Sequence, residues 1–177
     1  KMSYSNIGAA LLGYSVGKIL KMNFEEMLKQ TVCVPFNMNS TTTNRSVIEN
    51  KLVTGYGMFG INPYWNKPEC LYGSGVIMSC ANDLTKFLTT FISSNDSNIT
   101  RMLAPTHVRN NNSSIGLGWI ISNTDNEIIH WHNGATGGFR SFAAMNKKRK
   151  TGIVILSNTQ FKAEDLEKFG FDMLTNE

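Results

Sequence analysis

The chain has 177 residues and a net charge of +4, from 17 Lys and Arg against 13 Asp and Glu, and 41% of its residues are apolar. That balance describes a globular chain long enough for a real core, which buries roughly 70% of the surface its unfolded form exposes. It gives no ground for a nucleic-acid partner, and no apolar run reaches the roughly 18 residues of a membrane-spanning helix.

The apolar spacing predicts a helix over 6–21, with Ile7, Leu11, Tyr14 and Lys18 on one stripe, Ala10, Leu12 and Ile19 beside it, and Ser5 or Asn6 as cap. A second helix is predicted after Asn23, with Phe24, Met27 and Leu28 as its apolar face and Glu25 and Glu26 in its first turn, ending before Pro35. Residues 37–75, rich in Asn, Thr, Gly and aromatics, are expected to form long ordered loops with a short strand pair. Ser79 is the expected cap of a helix over 80–93 that turns Leu84, Phe87, Leu88 and Phe91 inward. Residues 94–114 read as polar loop.

The last third changes character. Gly116–Ser122, Glu127–His132, Phe139–Met145 and Thr151–Ser157 are β-rich runs separated by turn residues. The basic cluster Lys147–Lys150, between two apolar runs, is expected to be a hairpin turn, with a nucleic-acid patch as the alternative. A helix over Glu164–Leu174 follows, with Leu166, Phe169 and Leu174 available for its apolar face. Helices first and strands later predict an α+β fold, an antiparallel sheet flanked by helices. Residues 1–114 form its helical and loop region and 115–177 its sheet and closing helix, in one incomplete structural unit. Cys33, Cys70 and Cys80 are too irregularly spaced for a disulfide framework and are expected to be small buried hydrophobes.

Two short motifs carry chemistry. Tyr4-Ser5-Asn6 stands at a loop-to-helix junction, and His132-Asn133-Gly134-Ala135-Thr136-Gly137-Gly138-Phe139 follows a strand. A strand that ends in a glycine-rich turn lets a substrate lie against the backbone, where amide N–H groups can face a developing oxyanion. A histidine on such a strand is a donor whose charge the surroundings tune. A glycine-rich hairpin with a surface histidine, and a tyrosine and asparagine that merely pack and cap, explain the same strings structurally.

Taken together, the ordered features resemble the serine β-lactamase and penicillin-binding family, in its class C β-lactamase and DD-peptidase branch. The blocks are Tyr4-Ser5-Asn6 with Ile7 to Gly13, Phe24 to Leu28 leading to Pro35 and Met38, and Gly73 to Ser79 with Asp83-Leu84. They continue with Gly116 to Trp119, His132 to Phe139, and Gly152 to Asn158. The family works with three motifs, Ser-x-x-Lys, Tyr-x-Asn, and Lys-Thr-Gly or His-x-Gly. The resemblance implies that Tyr4 acts in proton transfer, that Asn6 holds a substrate amide and a lysine, and that Ala135 offers its N–H as half of an oxyanion hole. It further implies that His132, Asn133 and Gly134 form the third motif, with Asn158 lining the site. No cofactor or metal is implied.

The departures shape the expectation. The chain opens Lys1-Met2-Ser3-Tyr4, in mid-motif, with no signal peptide and no Ser-x-x-Lys ahead of Tyr4. The string Ser15-Val16-Gly17-Lys18 lies inside the helix that follows Tyr4. At 1.5 Å per residue Ser15 is roughly 16 Å along the axis from Tyr4, whereas nucleophile and base need about 3 Å. This chain is therefore expected to be the C-terminal portion of a serine hydrolase, inactive alone. A non-catalytic fragment or interaction module reusing the fold is the alternative. His132, where class C β-lactamases usually carry lysine, shifts the expectation toward peptidases and esterases. The expected partners are a small-molecule or peptide substrate, and the N-terminal portion or a second copy covering an exposed apolar face. The resemblance implies a periplasmic or secreted location. His130 and His132 share a strand face, but no third ligand for a metal stands near them in sequence, and His107 reads as a loop histidine.

Overall fold

The computed structural model describes residues 3–62, 64–124, 127–160 and 163–175, so Lys1 and Met2 lie outside it. Helix α1 spans Asn6–Leu20, capped by Ser5, whose hydroxyl accepts from the Gly8 N–H at 2.9 Å. Helix α2 spans Phe24–Leu28 behind a reciprocal capping box of Asn23 and Glu26, and runs on as a π-helical turn over Lys29–Cys33. Phe24, Met27 and Leu28 are buried as expected.

The stripe expected to bury α1 faces the other way. Ile7 is 76% exposed, Leu11 62%, Leu12 67% and Ile19 78%. The inner face is made of small residues. A Cβ on Gly13 would stand 2.7 Å from the Phe24 ring, and one on Gly73 would stand 2.5 Å from the Ala9 carbonyl. Backbone-to-backbone approach against the 3-10 turn Glu69–Ser74 requires this, so α1 packs through Ala9, Ala10, Gly13 and Gly17 and leaves its large side chains outside.

Among the described residues, 37–62 and 64–75 form ordered loop with short 3-10 turns and one strand pair, β1 (Tyr56–Gly57) with β2 (Gly60–Ile61). Three threonines anchor this segment. Thr41, Thr42 and Thr43 are almost fully buried. The Glu25 carboxylate accepts from Thr42 Oγ1, Thr43 N–H and Thr43 Oγ1 at 2.6 to 2.7 Å. Asp83 accepts from Ser40 N–H at 2.7 Å and Thr41 Oγ1 at 2.9 Å, with Lys86 Nζ at 3.4 Å. Burial pushes both carboxyls up, but these hydrogen bonds and the neighbouring lysines outweigh it and hold both below their ordinary range. Asp83 is 1% exposed, so Asp83→Ala strands its donors in the interior and should cost roughly 2–4 kcal/mol, read as a lowered denaturation midpoint. An unchanged midpoint would contradict this reading.

Helix α3 covers Ala81–Ser93, with Leu88 and Phe91 buried. Its cap is Cys80 without a side-chain hydrogen bond, because the Ser79 hydroxyl pairs with Thr41 Oγ1 at 2.7 Å. The expected loop over 94–114 contains helix α4 (Ser97–Leu103) and strands β3 (His107–Asn110) and β4 (Ser113–Ile115). Asp96 caps α4, and only Ile99 and Leu103 bury, too few apolar positions to mark a helix in sequence. His107 thus sits on an exposed edge strand. Of the cysteines only Cys33 is buried; Cys70 is exposed and Cys80 half-buried.

Strands β5 (Ile120–Thr124), β6 (Glu127–Thr136), β7 (Phe139–Asn146) and β8 (Thr151–Ser157) complete an antiparallel sheet ordered β3-β4-β5-β6-β7-β8. The run expected to start at Gly116 becomes strand only at Ile120, because Gly118, at φ +80°, turns the chain and Gly116 N–H bonds to the Trp119 carbonyl. Lys147–Lys150 form the β7–β8 turn. On one face α3, α4 and β7 bury Leu88, Phe91, Ile99, Leu103, Trp119 and Met145. On the other, α5 (Ala163–Thr175) covers Ile129, Phe142 and Ala144 with Leu174, and Leu166 and Phe171 pack at the margin. Gly170 lets α5 close on Phe142: a Cβ there would stand 2.3 Å from the ring. Phe169, expected inward, is 56% exposed.

His130 on β6 is buried, with Nε2 3.0 Å from the Leu103 carbonyl. Burial pushes its pKa below the ordinary 6.5, the Leu103 carbonyl pulls it up and the Lys147 charge lowers it further. The folded state thus favours neutral His130. Its contribution to stability is complete above about pH 6.5 and is lost as pH falls from there toward the folded pKa. Glu25 and Asp83 add a second loss below about pH 4.5. Denaturation midpoints measured between pH 8 and 5 should fall for the native chain and stay flat for His130→Asn; parallel curves would contradict the assignment.

Candidate active site

β6 outruns its neighbour β5. The last β5 pairing is Ile120 with Trp131, whereas β7 pairs with β6 through Thr136. Residues 132–136 therefore carry a strand on one side only, and every second N–H and C=O there points away from β7. The loop before α1 brings Tyr4 to the same strand. The Tyr4 and His132 rings lie 6.2 Å apart, tilted by 46°. Asn6 opens α1 in its first turn, exposed. His132 Nδ1 lies 2.7 Å from the Asn133 carbonyl, which can only accept, so Nδ1 is the donor of this bond.

Side chains alternate along β6. His132, Gly134 and Thr136 share the face that meets Tyr4, while Asn133 is turned to the other, where its amide donates to Glu167 of α5. The Asn133 side chain expected to anchor substrate therefore fastens α5 to the sheet. A Cβ on Gly134 would stand 2.6 Å from Ser141 Oγ, so a side chain there would displace that hydroxyl. Ala135 is exposed and pairs in register with Arg140.

Asn158, expected to line the site, ties a loop instead. Its Nδ2 donates to the Thr54 carbonyl at 2.9 Å and its carbonyl accepts from Tyr56 N–H at 2.8 Å. Gly137 and Gly138, expected to let substrate approach, are buried against that same loop. Gly138 has φ +83°, and a Cβ on it would stand 2.5 Å from the Gly55 carbonyl carbon. Gln160 Nε2 reaches the Thr136 carbonyl at 3.2 Å. No local sequence signal links Gly55 or Gln160 to the motif, because the tertiary fold alone brings them there.

Ser15 and Lys18 stand in the later turns of α1, with Lys18 exposed and 5.1 Å from the Tyr14 ring. Among the described residues no group of three or more His, Cys, Asp or Glu is placed to hold a metal ion, and no helix is long and apolar enough to cross a membrane.

A tyrosine at a helix start, facing a histidine on an overhanging glycine-rich strand of an antiparallel α+β sheet, defines a class of fold. The chain belongs to the β-lactamase family, whose model, described as Beta-lactamase, matches residues 1–176. It is similar to Protein flp of Staphylococcus aureus (strain MW2), at 27% identity over 170 residues, covering 89% of this chain and 33% of that protein. Beta-lactamase-like protein 4 of Dictyostelium discoideum is likewise 27% identical over 195 residues, covering 92% of this chain and 33% of its own length. Among solved structures, the fold matches a β-lactamase/D-alanine carboxypeptidase from Pseudomonas syringae, with TM-score 0.85 and 18% identity over 98% of this chain and 59% of that one. It also matches the octameric penicillin-binding protein homologue from Pyrococcus abyssi, with TM-score 0.83 and 21% identity over 98% of this chain and 42% of that one. The chain thus spans about a third of these curated relatives' length and about half of these structures.

Proposed function

We propose that the chain forms one wall of an acyl-transfer site in a larger serine hydrolase. The observation that carries the reading is the approach of Tyr4 to His132 beside the unpaired edge of β6. The nucleophile belongs to a Ser-x-x-Lys segment elsewhere in the full-length protein. Its Oγ bonds to an amide, ester or β-lactam carbonyl carbon, and the carbonyl electron pair moves onto oxygen. Tyr4, with that segment's lysine, accepts the serine proton and passes it to the departing nitrogen or oxygen. The Ala135 N–H and the serine's own N–H hold the oxyanion. Support for Ala135 comes from its spacing: it lies two residues beyond Asn133, whose carbonyl meets the His132 ring, and residues two apart share a strand edge. His132 and Asn6 orient the substrate, with Gly134 giving backbone access. Water then releases the acyl group.

His132, where class C β-lactamases usually carry lysine, favours a peptidase or esterase reading over a β-lactamase one. A periplasmic or secreted location is part of this reading. The test is turnover of a chromogenic ester and of a D-alanyl peptide by the full-length protein and by this chain. The full-length protein should hydrolyse at least one and this chain neither. If the full-length protein hydrolyses neither, the chain is a non-catalytic module on this fold.

A further inference from the structure

The two halves of the site come from distant parts of the chain, Tyr4 and Asn6 from the start of α1 and His132 to Thr136 from the end of β6. The 3-10 turn Glu69–Ser74, with Gly75 after it, lies between them. On one side, a Cβ on Gly73 would stand 2.5 Å from the Ala9 carbonyl oxygen and 3.1 Å from Ala10 Cα, so the turn rests backbone to backbone on α1. On the other, a Cβ on Gly75 would stand 3.2 Å from Thr136 Cγ2, and Thr136 shares the β6 face of His132. Gly75 makes that approach at φ +114°, a left-handed backbone that residues with side chains avoid. Where residues 73–75 stand therefore sets how far α1, and Tyr4 with it, stands from His132.

A 3-10 turn has poor hydrogen-bond geometry and leaves its last carbonyls without partners of their own. This one has no side-chain cap at its start, and its end is fastened by a lysine from outside the turn. Lys67 Nζ donates to the Ser74 carbonyl at 3.3 Å and to Ser74 Oγ at 3.0 Å, and Ser74 Oγ donates in turn to the Leu71 carbonyl at 2.7 Å. The ammonium also lies 4.7 Å from the centroid of the Trp65 ring, whose face attracts it. Among the described residues no carboxylate forms an ion pair with Lys67. Surface lysines ordinarily leave the charged head in water, whereas this one is turned onto the backbone between the halves of the site. At the other end of the turn the Glu69 carboxylate accepts from the Phe24 N–H at 2.8 Å, so both ends are tied.

We propose that Lys67 is a positioning residue: by fastening Ser74 it fixes the wedge of residues 73–75, and with it the placement of Tyr4 against His132. Its effect on rate rests on the acyl-transfer reading above. Lys67→Met keeps an unbranched stem beside Trp65 and removes the donors. In the full-length protein it should lower kcat on the chromogenic ester about tenfold or more and leave KM within about threefold, since a displacement of roughly 1 Å at a reacting group costs about 100-fold. Made on Tyr4→Phe, the same change should cost less than about twofold, because the hydroxyl it positions is already gone. An equal loss in both backgrounds, as a merely structural role gives, would overturn the proposal, and so would the absence of any loss. A second readout needs no turnover. The proton resonances of the His132 ring, which the Tyr4 ring shifts from 6.2 Å away, should move in Lys67→Met toward their positions in Tyr4→Leu. Resonances unchanged from native would overturn the positioning role. If the native protein cleaves neither ester nor peptide, the acyl-transfer reading falls and the ring resonances alone decide for or against Lys67. Ser74→Ala deletes only the Oγ contact. It should move rate and resonances the same way by less, and it carries the test if Lys67→Met does not fold.

Discussion

Replacing Tyr4 by phenylalanine in the full-length protein should lower kcat about 10²- to 10⁴-fold while leaving KM within a few fold. That is the range expected when a positioned proton-transfer group is removed. The substitution keeps the ring that faces His132 at 6.2 Å and deletes only the hydroxyl. Tyr4 is 65% exposed, so the fold loses little with it. Steady-state kinetics on the preferred ester, with denaturation midpoints of both forms, separate chemistry from stability. Near-native kcat would remove Tyr4 from proton transfer and reduce it to a packing ring beside His132. A raised KM with normal kcat would make it a binding group.

The second large effect concerns the outer face of α1. Ile7, Leu11, Leu12 and Ile19 stand outward on one helix at 62–78% exposure. Monomeric proteins rarely leave so continuous an apolar surface in water. In the full-length protein this face is expected to be covered by the rest of the fold. In isolation the chain should self-associate, sedimenting well above 19.7 kDa at micromolar concentration. Ile7→Gln/Leu11→Gln/Ile19→Gln should shift it toward monomer, since all three side chains point away from Gly13, Phe24 and the Glu69–Ser74 turn that α1 packs against. A native chain that sediments as a stable monomer, free of hydrophobic-dye binding, would contradict this account of the face.

How much was legible in the sequence depended on whether the signal was local. Helix α1 and its Ser5 cap, helix α2 with its apolar face, the β6–β8 strands and the basic turn all follow from spacing over a few residues. Which face of α1 is buried did not, because large apolar side chains ordinarily mark the inside. Here Gly13 and Gly73 permit a backbone approach that spacing cannot show. Helix α4 and the β3–β4 hairpin were missed because their residues are mostly polar and exposed. In the site, Tyr4 and His132 stand in motifs and meet in space. Asn133 and Asn158 stand in or beside the same motifs and turn out to be fasteners, to Glu167 and to Thr54. Strand alternation sets Asn133 on the α5 face, a consequence readable only once the register of β6 is fixed. The buried Thr41–Thr43 network around Glu25 and Asp83 had no sequence signal, since its partners come from distant segments.

The most direct measurement is intact-protein mass spectrometry after incubation with benzylpenicillin and, separately, with a fluorophosphonate. The account predicts a stoichiometric covalent adduct on the full-length protein with at least one probe. It predicts none on this chain alone, whose Ser15 stands on α1 away from Tyr4 and His132. An adduct on Ser15 of the isolated chain, or no adduct on the full-length protein with either probe, would contradict it.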